Sequence, residues 1–306
     1  MVSTLTILPS ELAPGAPAWR SRCLGYCWAF VANARRVGDD LDGAEEAFAE
    51  AWRLWRAGDG ADPDLLAEWR LLDREASLRR DQREFTAALD LLDRARATAP
   101  AGEVPRILLN RAFTLEQAGR PEEALAELRS AAPLLEATGE PRLRAVLHFN
   151  VISNLCPLGR YEEAEELLPL VRELVVGLGN ELDLVRVLWL SGRVAGGRGR
   201  RQEARAKLEQ ALREFAARGK SYDTALVALE LAVLLLEDGR MAEVRALAGE
   251  LLWVFSDKGI HREALAALTL FRRAVEAETL SLEQARHFLA YLERARHDRR
   301  LRFEGE

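Results

Sequence analysis

Apolar residues in the middle of the chain return at i, i+4 and i+7, and the same three-position stripe recurs every 40 residues. Its first position holds Ala124, Ala164, Ala204 and Val244; its second holds Leu128, Leu168, Leu208 and Ala248; its third holds Ala131, Val171, Ala211 and Leu251. That spacing puts one apolar stripe along one side of an α-helix. A glycine also stands every 20 residues, at Gly119, Gly139, Gly159, Gly179, Gly199, Gly219, Gly239 and Gly259. Glycine suits the left-handed position that ends a helix without a Cβ clash. The pattern predicts helices of about 16 residues, roughly 24 Å long. Two of them fill each 40-residue unit, and the units stack as a solenoid.

Alternate glycines open the same phrase: GRPEEA from Gly119, GRYEEA from Gly159, GRRQEA from Gly199 and GRMAEV from Gly239. Pro121 fits a first helical turn, and Glu122, Glu123, Glu162, Glu163 and Glu203 set negative charge at the positive end of the helix dipole. Looser copies precede these units, in Ala32-Arg35-Gly38-Leu41-Ala44-Phe48-Ala51 and in Ala76-Phe85-Ala88-Leu92-Ala95. A last pair of helices, near 261–278 and 281–297, keeps helical patterning and loses the phrase, as a capping unit should. The expected organisation is therefore a disordered tail over 1–17, two divergent repeats over 18–98, four regular repeats over 99–258, a capping hairpin over 259–298 and a tail over 299–306.

The small–large–small stripe behind a Gly-x-aromatic turn resembles the tetratricopeptide repeat. The best units read Ala112-Leu115-Gly119-Pro121-Ala124-Leu128-Ala131 and Ile152-Leu155-Gly159-Tyr161-Ala164-Leu168-Val171, followed by Gly192-Ala195-Gly199-Arg201-Ala204-Leu208-Ala211 and Ala232-Leu235-Gly239-Met241-Val244-Ala248-Leu251. The resemblance implies an all-α, right-handed solenoid of about seven antiparallel helical hairpins. Its concave face, lined by the first helix of each unit, would hold an extended peptide or a partner's helix. Carried over residue by residue, the repeat puts Asn33, Arg70, Arg74, Asn110, Phe113, Phe149, Asn150, Ser153, Trp189 and Arg193 on that face. An Asn both donates and accepts, which is what a peptide group requires. The two-carboxylate clamp of chaperone-tail binders is half missing, because Ala29 stands for a Lys, Arg74 for an Asn and Asn110 for a basic residue. The 40-residue unit exceeds the usual 34. In that respect the chain is similar to the sensor arms of quorum-peptide receptors and of maltose-regulator-type activators. Only about 17 residues, with Pro9, Pro14 and Pro17 among them, precede the first expected helix, so no effector domain is expected in this chain.

Composition narrows the function classes. With 43 basic against 49 acidic residues the net charge is −6, and no concentrated basic face suggests nucleic acid. The run RARHDRRLR from Arg294 to Arg302 is expected to be a solvated helix end. No apolar run is long enough to span a bilayer, and the N-terminus lacks a signal-peptide pattern. Cys23, Cys27 and Cys156 form no disulfide framework and are expected to be small buried thiols, giving a cytoplasmic, reduced protein.

The histidines His148, His261, His287 and His297 form no HExxH, and neither CxxC, GxxxxGK[ST] nor GxSxG occurs, so no metal, cofactor or catalytic residue is expected. The glycines of GRVAGGRGR (192–200) are read as tight helix packing plus a repeat turn. Trp19, Trp28, Trp52, Trp55 and Trp69 are read as a bulky N-terminal core, with an enzyme in that divergent third a remote alternative. Leu280, Leu282, Phe288 and Leu289 are candidates for a homodimer contact through the terminal hairpin. The expected function is a non-catalytic protein–protein interaction module, an adaptor or scaffold binding protein or peptide. A peptide-responsive sensor subunit is the alternative.

Overall fold

Seven glycines of the ladder adopt the left-handed conformation, with φ of 72° at Gly119, 68° at Gly139, 69° at Gly159, 66° at Gly179, 76° at Gly199, 62° at Gly219 and 71° at Gly239. The computed structural model describes residues 18–38, 40–59, 66–250, 262–295 and 301–303. Gly259, Leu251, His261, His297 and the expected tail over 1–17 lie outside them. After Gly119, Gly159, Gly199, Gly219 and Gly239 the next N–H reaches back to a carbonyl five residues earlier, as in Arg120 N to Leu115 O at 2.9 Å and Arg240 N to Leu235 O at 2.9 Å. This is the Schellman closure, and it satisfies a carbonyl that a helix end would otherwise leave open.

These turns punctuate an all-α chain with fourteen helices among the described residues. The chain divides into two compact units. The first holds α1 (Ala18–Val37), α2 (Leu41–Ala57), α3 (Glu68–Asp81), α4 (Phe85–Thr98), α5 (Val104–Gln117) and α6 (Pro121–Thr138). The second, from Glu140 onward, holds α7 (Pro141–Leu155), α8 (Tyr161–Leu178), α9 (Glu181–Gly197), α10 (Arg201–Ala217), α11 (Ser221–Glu237), α12 (Met241–Glu250), α13 (Arg262–Glu276) and α14 (Leu282–Ala295). Odd- and even-numbered helices pair as antiparallel hairpins, seven in all, and the odd ones are the first helices of the repeats.

The stripe that predicted this arrangement is the core. Ala124, Ala164, Ala204 and Val244 are fully buried, as are Leu128, Ala131, Val171 and Ala211. Leu168 is half-buried. The looser early copies are packed as tightly, with Ala44, Phe48, Ala51, Ala88, Leu92 and Ala95 all buried. Small residues matter because side-chain volume at these positions sets how closely helices approach. At Gly25 on α1 an added Cβ would meet the Ala51 carbonyl oxygen and the Trp55 nitrogen at 2.6 Å. Gly197, within the Gly-rich stretch, lies against the Tyr161 ring where no Cβ would fit, so that stretch is helix packing plus a turn.

The repeated Gly-Arg-x-x-Glu phrase has a second use. Arg120 pairs with Glu123 and Arg160 with Glu163 at 2.5 Å, Arg200 with Glu203 at 2.7 Å, and Arg240 with Glu243. Each pair ties the turn to the first turn of the next helix. All are at least partly exposed, so they favour the local geometry more than the global stability. Pro133 inside α6 and Pro169 inside α8 each remove one helical hydrogen bond, on exposed positions of two second helices of 18 residues.

Four expectations are corrected. Cys23 is exposed and Cys27 half-buried, and only Cys156 is buried. Trp69 and Trp52 are core residues, and Trp55 packs edge-on to Trp52, but Trp19 is 48% exposed with Arg20 over its ring. Leu280 and Phe288 are buried within their own chain, with Leu289 packed against the same core and Leu282 half-buried, so the four do not form the exposed apolar set expected of them. The end of the basic tail is not merely solvated: Leu301 and Phe303 fold onto α14, where the Tyr291 hydroxyl donates to the Leu301 carbonyl at 3.0 Å.

Where a turn lacks glycine, the same conformation falls on another residue: Arg83 at φ 66° and Glu278 at φ 56°. Left-handed backbone costs a residue with a Cβ about 1–2 kcal/mol. Glu278→Gly is therefore expected to stabilise the fold by up to about 1 kcal/mol, and Gly159→Ala to destabilise it by about as much. Urea-unfolding midpoints of the two variants check the opposite signs.

Candidate functional site

The first helices of the first unit bring most of the sequence-selected residues of that unit to one face. Asn33 lies on α1, Arg70 and Arg74 on α3, and Asn110 and Phe113 on α5. Asn33, Arg74 and Asn110 line a cleft of about 290 Å³ together with Asp73, Ser77 and Arg106. Arg70 is exposed outside it, paired at 3.9 Å with Glu103, and Phe113 carries the Arg80 guanidinium 4.7 Å over its ring.

A polar ladder holds this face together. Arg36 donates to Asn33 Oδ1 at 3.0 Å and pairs with Asp81. Asp81 pairs in turn with Arg80 at 3.1 Å, and Arg80 donates to Asn110 Oδ1 at 2.8 Å. Asn110 Nδ2 donates to Asp73 Oδ1 at 3.0 Å and reaches Ser77 Oγ at 3.4 Å. Arg106 closes the series on Asp73 at 3.5 Å. Burial pulls the Arg80 pKa down, while the Asp81 carboxylate opposes that pull. Asn110 thus ties α3 to α5 through both ends of its amide.

Three groups on the face keep spare capacity. Asn33 Nδ2 has no hydrogen-bond acceptor among the described residues. Arg74 has no carboxylate partner among them; its guanidinium sits 4.0 Å over the ring of Phe30, which is 52% exposed. Behind it the buried Tyr26 hydroxyl has no hydrogen bond of good geometry. Burial raises the Tyr26 pKa, partly opposed by Arg70 and Arg74. The face therefore offers donors and positive charge beside an exposed aromatic ring.

In the second unit, Phe149, Asn150 and Ser153 are half-buried on α7, and the side chains of Asn150 and Ser153 make no hydrogen bond among the described residues. Trp189 and Arg193 on α9 are engaged. Trp189 Nε1 donates to Glu230 Oε2 at 2.7 Å, and Arg193 bridges Glu230 at 3.1 Å and Glu293 at 2.9 Å. Burial pushes the Cys156 thiol nearby up to about 11. The sequence reading did not select Phe30, Asp73, Ser77, Arg106, Glu230 or Glu293. The first four stand three or four residues from selected ones on the same helices, so helical spacing could have flagged them. Nothing local marks Glu230 or Glu293.

Glu230 is pushed up to about 7, first by burial, which Arg193 opposes; the Glu293 charge adds to the rise and the Trp189 N–H opposes it. An acid whose pKa is raised in the fold binds its proton more tightly there than in the unfolded chain. Its contribution to stability is fully present below the ordinary carboxylate value of about 4.3 and is lost as pH rises through the folded value. Thermal stability is therefore expected to fall between pH 5 and pH 8, by on the order of 1–3 kcal/mol. In Glu230→Gln that dependence should flatten, as melting curves across this range would show.

No protein-family model matches the chain, and no curated protein matches it. Solved structures do. The structure of a Rap protein complexed with competence and sporulation factor superposes with a TM-score of 0.68 at 14% identity, over 89% of this chain and 76% of that one. Aspartyl phosphate phosphatase F from Bacillus subtilis gives 0.58 at 14% identity, over 94% and 76%. A tetratricopeptide repeat protein from Parabacteroides merdae ATCC 43184 gives 0.53 at 18% identity, over 90% and 99%. At these identities the likeness is one of fold. The chain has a tetratricopeptide-like fold, all-α and built of helical hairpins.

Proposed function

We propose that this protein is a non-catalytic interaction module of the reduced cytoplasm, an adaptor or scaffold that binds an acidic peptide segment on the first-helix face of its first unit. The observation that carries this is the cleft between Asn33, Arg74 and Asn110, where a guanidinium with no carboxylate partner among the described residues lies beside an open amide donor and an exposed ring. An Asn side chain can hold a peptide carbonyl, Arg74 a carboxylate, and Phe30 an apolar side chain. The rest of the ladder, Asp73 with Arg106 and Asn110 with Arg80, holds the cleft open rather than contacting the ligand. The Rap protein solved in complex with competence and sporulation factor supports the reading as a complex on a similar fold. The second reading is a sensor whose shape responds to its peptide.

A random peptide library screened against the immobilised protein is expected to enrich sequences with an acidic residue next to an apolar one. Affinity for the enriched peptides should fall about tenfold or more in Arg74→Ala and severalfold in Asn33→Ala, while Arg96→Ala on α4 leaves it unchanged. No enrichment, or equal binding by wild type and Arg74→Ala, overturns the proposal. Small-angle scattering with saturating peptide then separates an adaptor, whose profile stays constant, from a sensor, whose profile changes.

A further inference from the structure

The last helix does not sit where the repeat would put it. Among the described residues, α14 is the one second helix that packs along the first helix of the hairpin before its own, α11. It runs antiparallel to it: Arg286 pairs with Glu237 at 2.7 Å, and about two turns further along α14, Glu293 meets Arg193 where Arg193 also holds Glu230. Arg193 and Trp189 belong to the face that the repeat pattern assigns to ligands. At α11 and beside Arg193 that face is already covered, and the cover is a helix of the same chain.

The make-up of both helices says what the face accepts. From Ser221 to Leu235 most of α11 is buried, so it is apolar nearly all round and must be covered on every side. α14 is amphipathic, burying Ala285, Phe288, Tyr291, Leu292 and Ala295. Phe303 from the following segment stacks on Phe288 at 5.1 Å between ring centroids and meets Tyr291 edge-on at 4.8 Å, thickening the apolar side. The polar ties lie at the rim, between partly exposed side chains. They are also unevenly matched, since one guanidinium serves two carboxylates and Glu230 Oε1 gains no hydrogen bond from it. Such a contact loses little polar energy on opening, but it exposes an apolar helix. It is therefore expected to open by exchange for a similar helix rather than by simple release.

The geometry points to α14 as a displaceable intramolecular occupant of a helix-binding face on α9 and α11, whose outside partner is an amphipathic helix with aromatic residues at i and i+3 and a carboxylate placed for Arg193. This extends to the second unit the reading of first-helix faces as recognition surfaces. It involves none of the residues that test that reading in the first unit, so failure here leaves the Arg74 result standing.

The test uses the full chain and a labelled synthetic peptide of residues 281–303. Hydrogen exchange of the wild type should show α14 amides opening at least about tenfold faster than those of α11. The wild-type chain should bind the peptide weakly. A Glu293→Arg chain, whose own α14 is repelled by Arg193, should bind the wild-type peptide about tenfold tighter. A chain carrying Arg193→Glu, Glu230→Gln and Glu293→Arg, in which the pair is exchanged and no second carboxylate opposes it, should return to wild-type exchange and prefer a peptide with the Glu293→Arg change, which shows that the effect of the single variant is one of charge. Equal protection of α14 and α11, or no gain in peptide binding by the Glu293→Arg chain, overturns the proposal and makes α14 an ordinary part of the core.

Discussion

A helix that ends in a left-handed residue every 20 positions is the constraint on which the rest of this structure depends. The turn fixes where each helix stops, the Schellman bond fixes the direction in which the chain leaves, and the following Arg–Glu pair fixes the first turn of the next helix. With ends and directions set, fully buried alanines at positions 124, 164, 204 and their counterparts let second helices approach their neighbours closely. Specificity of fold comes from this repetition of small, local decisions, which suits a chain in which each hairpin packs mainly against its neighbours.

Architecture was legible because period, capping and burial are all local in sequence. The glycine ladder marked helix ends, and the stripe marked the buried side. The one loose fit, Leu168, still lies at the expected position and is half-buried. The turns at Arg83 and Glu278 show that the geometry survives the loss of its signal: packing on both sides holds a left-handed residue in place without glycine. A search for glycine alone passes over such turns.

The candidate site was legible only in part, for an equally physical reason. Asn33, Arg74 and Asn110, selected by the repeat register, line one cleft, because helical spacing determines which residues share a face. The register did not reveal which polar side chains are already satisfied. Asn110 is committed to Asp73 and Arg80, and Arg193 to Glu230 and Glu293, through partners as many as 100 positions away in sequence. Hydrogen-bond partners at that separation depend on tertiary packing and leave no trace in local spacing. The same holds for α14. Its pattern reads as a capping hairpin with Phe288 among the candidates for a dimer contact, whereas its apolar side covers α11.

On the reading proposed, the first-helix face of the first unit is open, with Arg74 and Asn33 holding unused capacity among the described residues, while in the second unit the chain itself covers α11 and engages Arg193. The most direct measurement is site-specific photocrosslinking of an acidic peptide, with the photoreactive residue placed at Phe30, at Ser77, or at Glu122 on the second helix α6. Crosslinks concentrated at Phe30 and Ser77, and absent at Glu122, are the result expected of a first-helix recognition face. Crosslinks at Glu122 equal to those at Phe30, or at Glu122 alone, would contradict it and move recognition to the second helices.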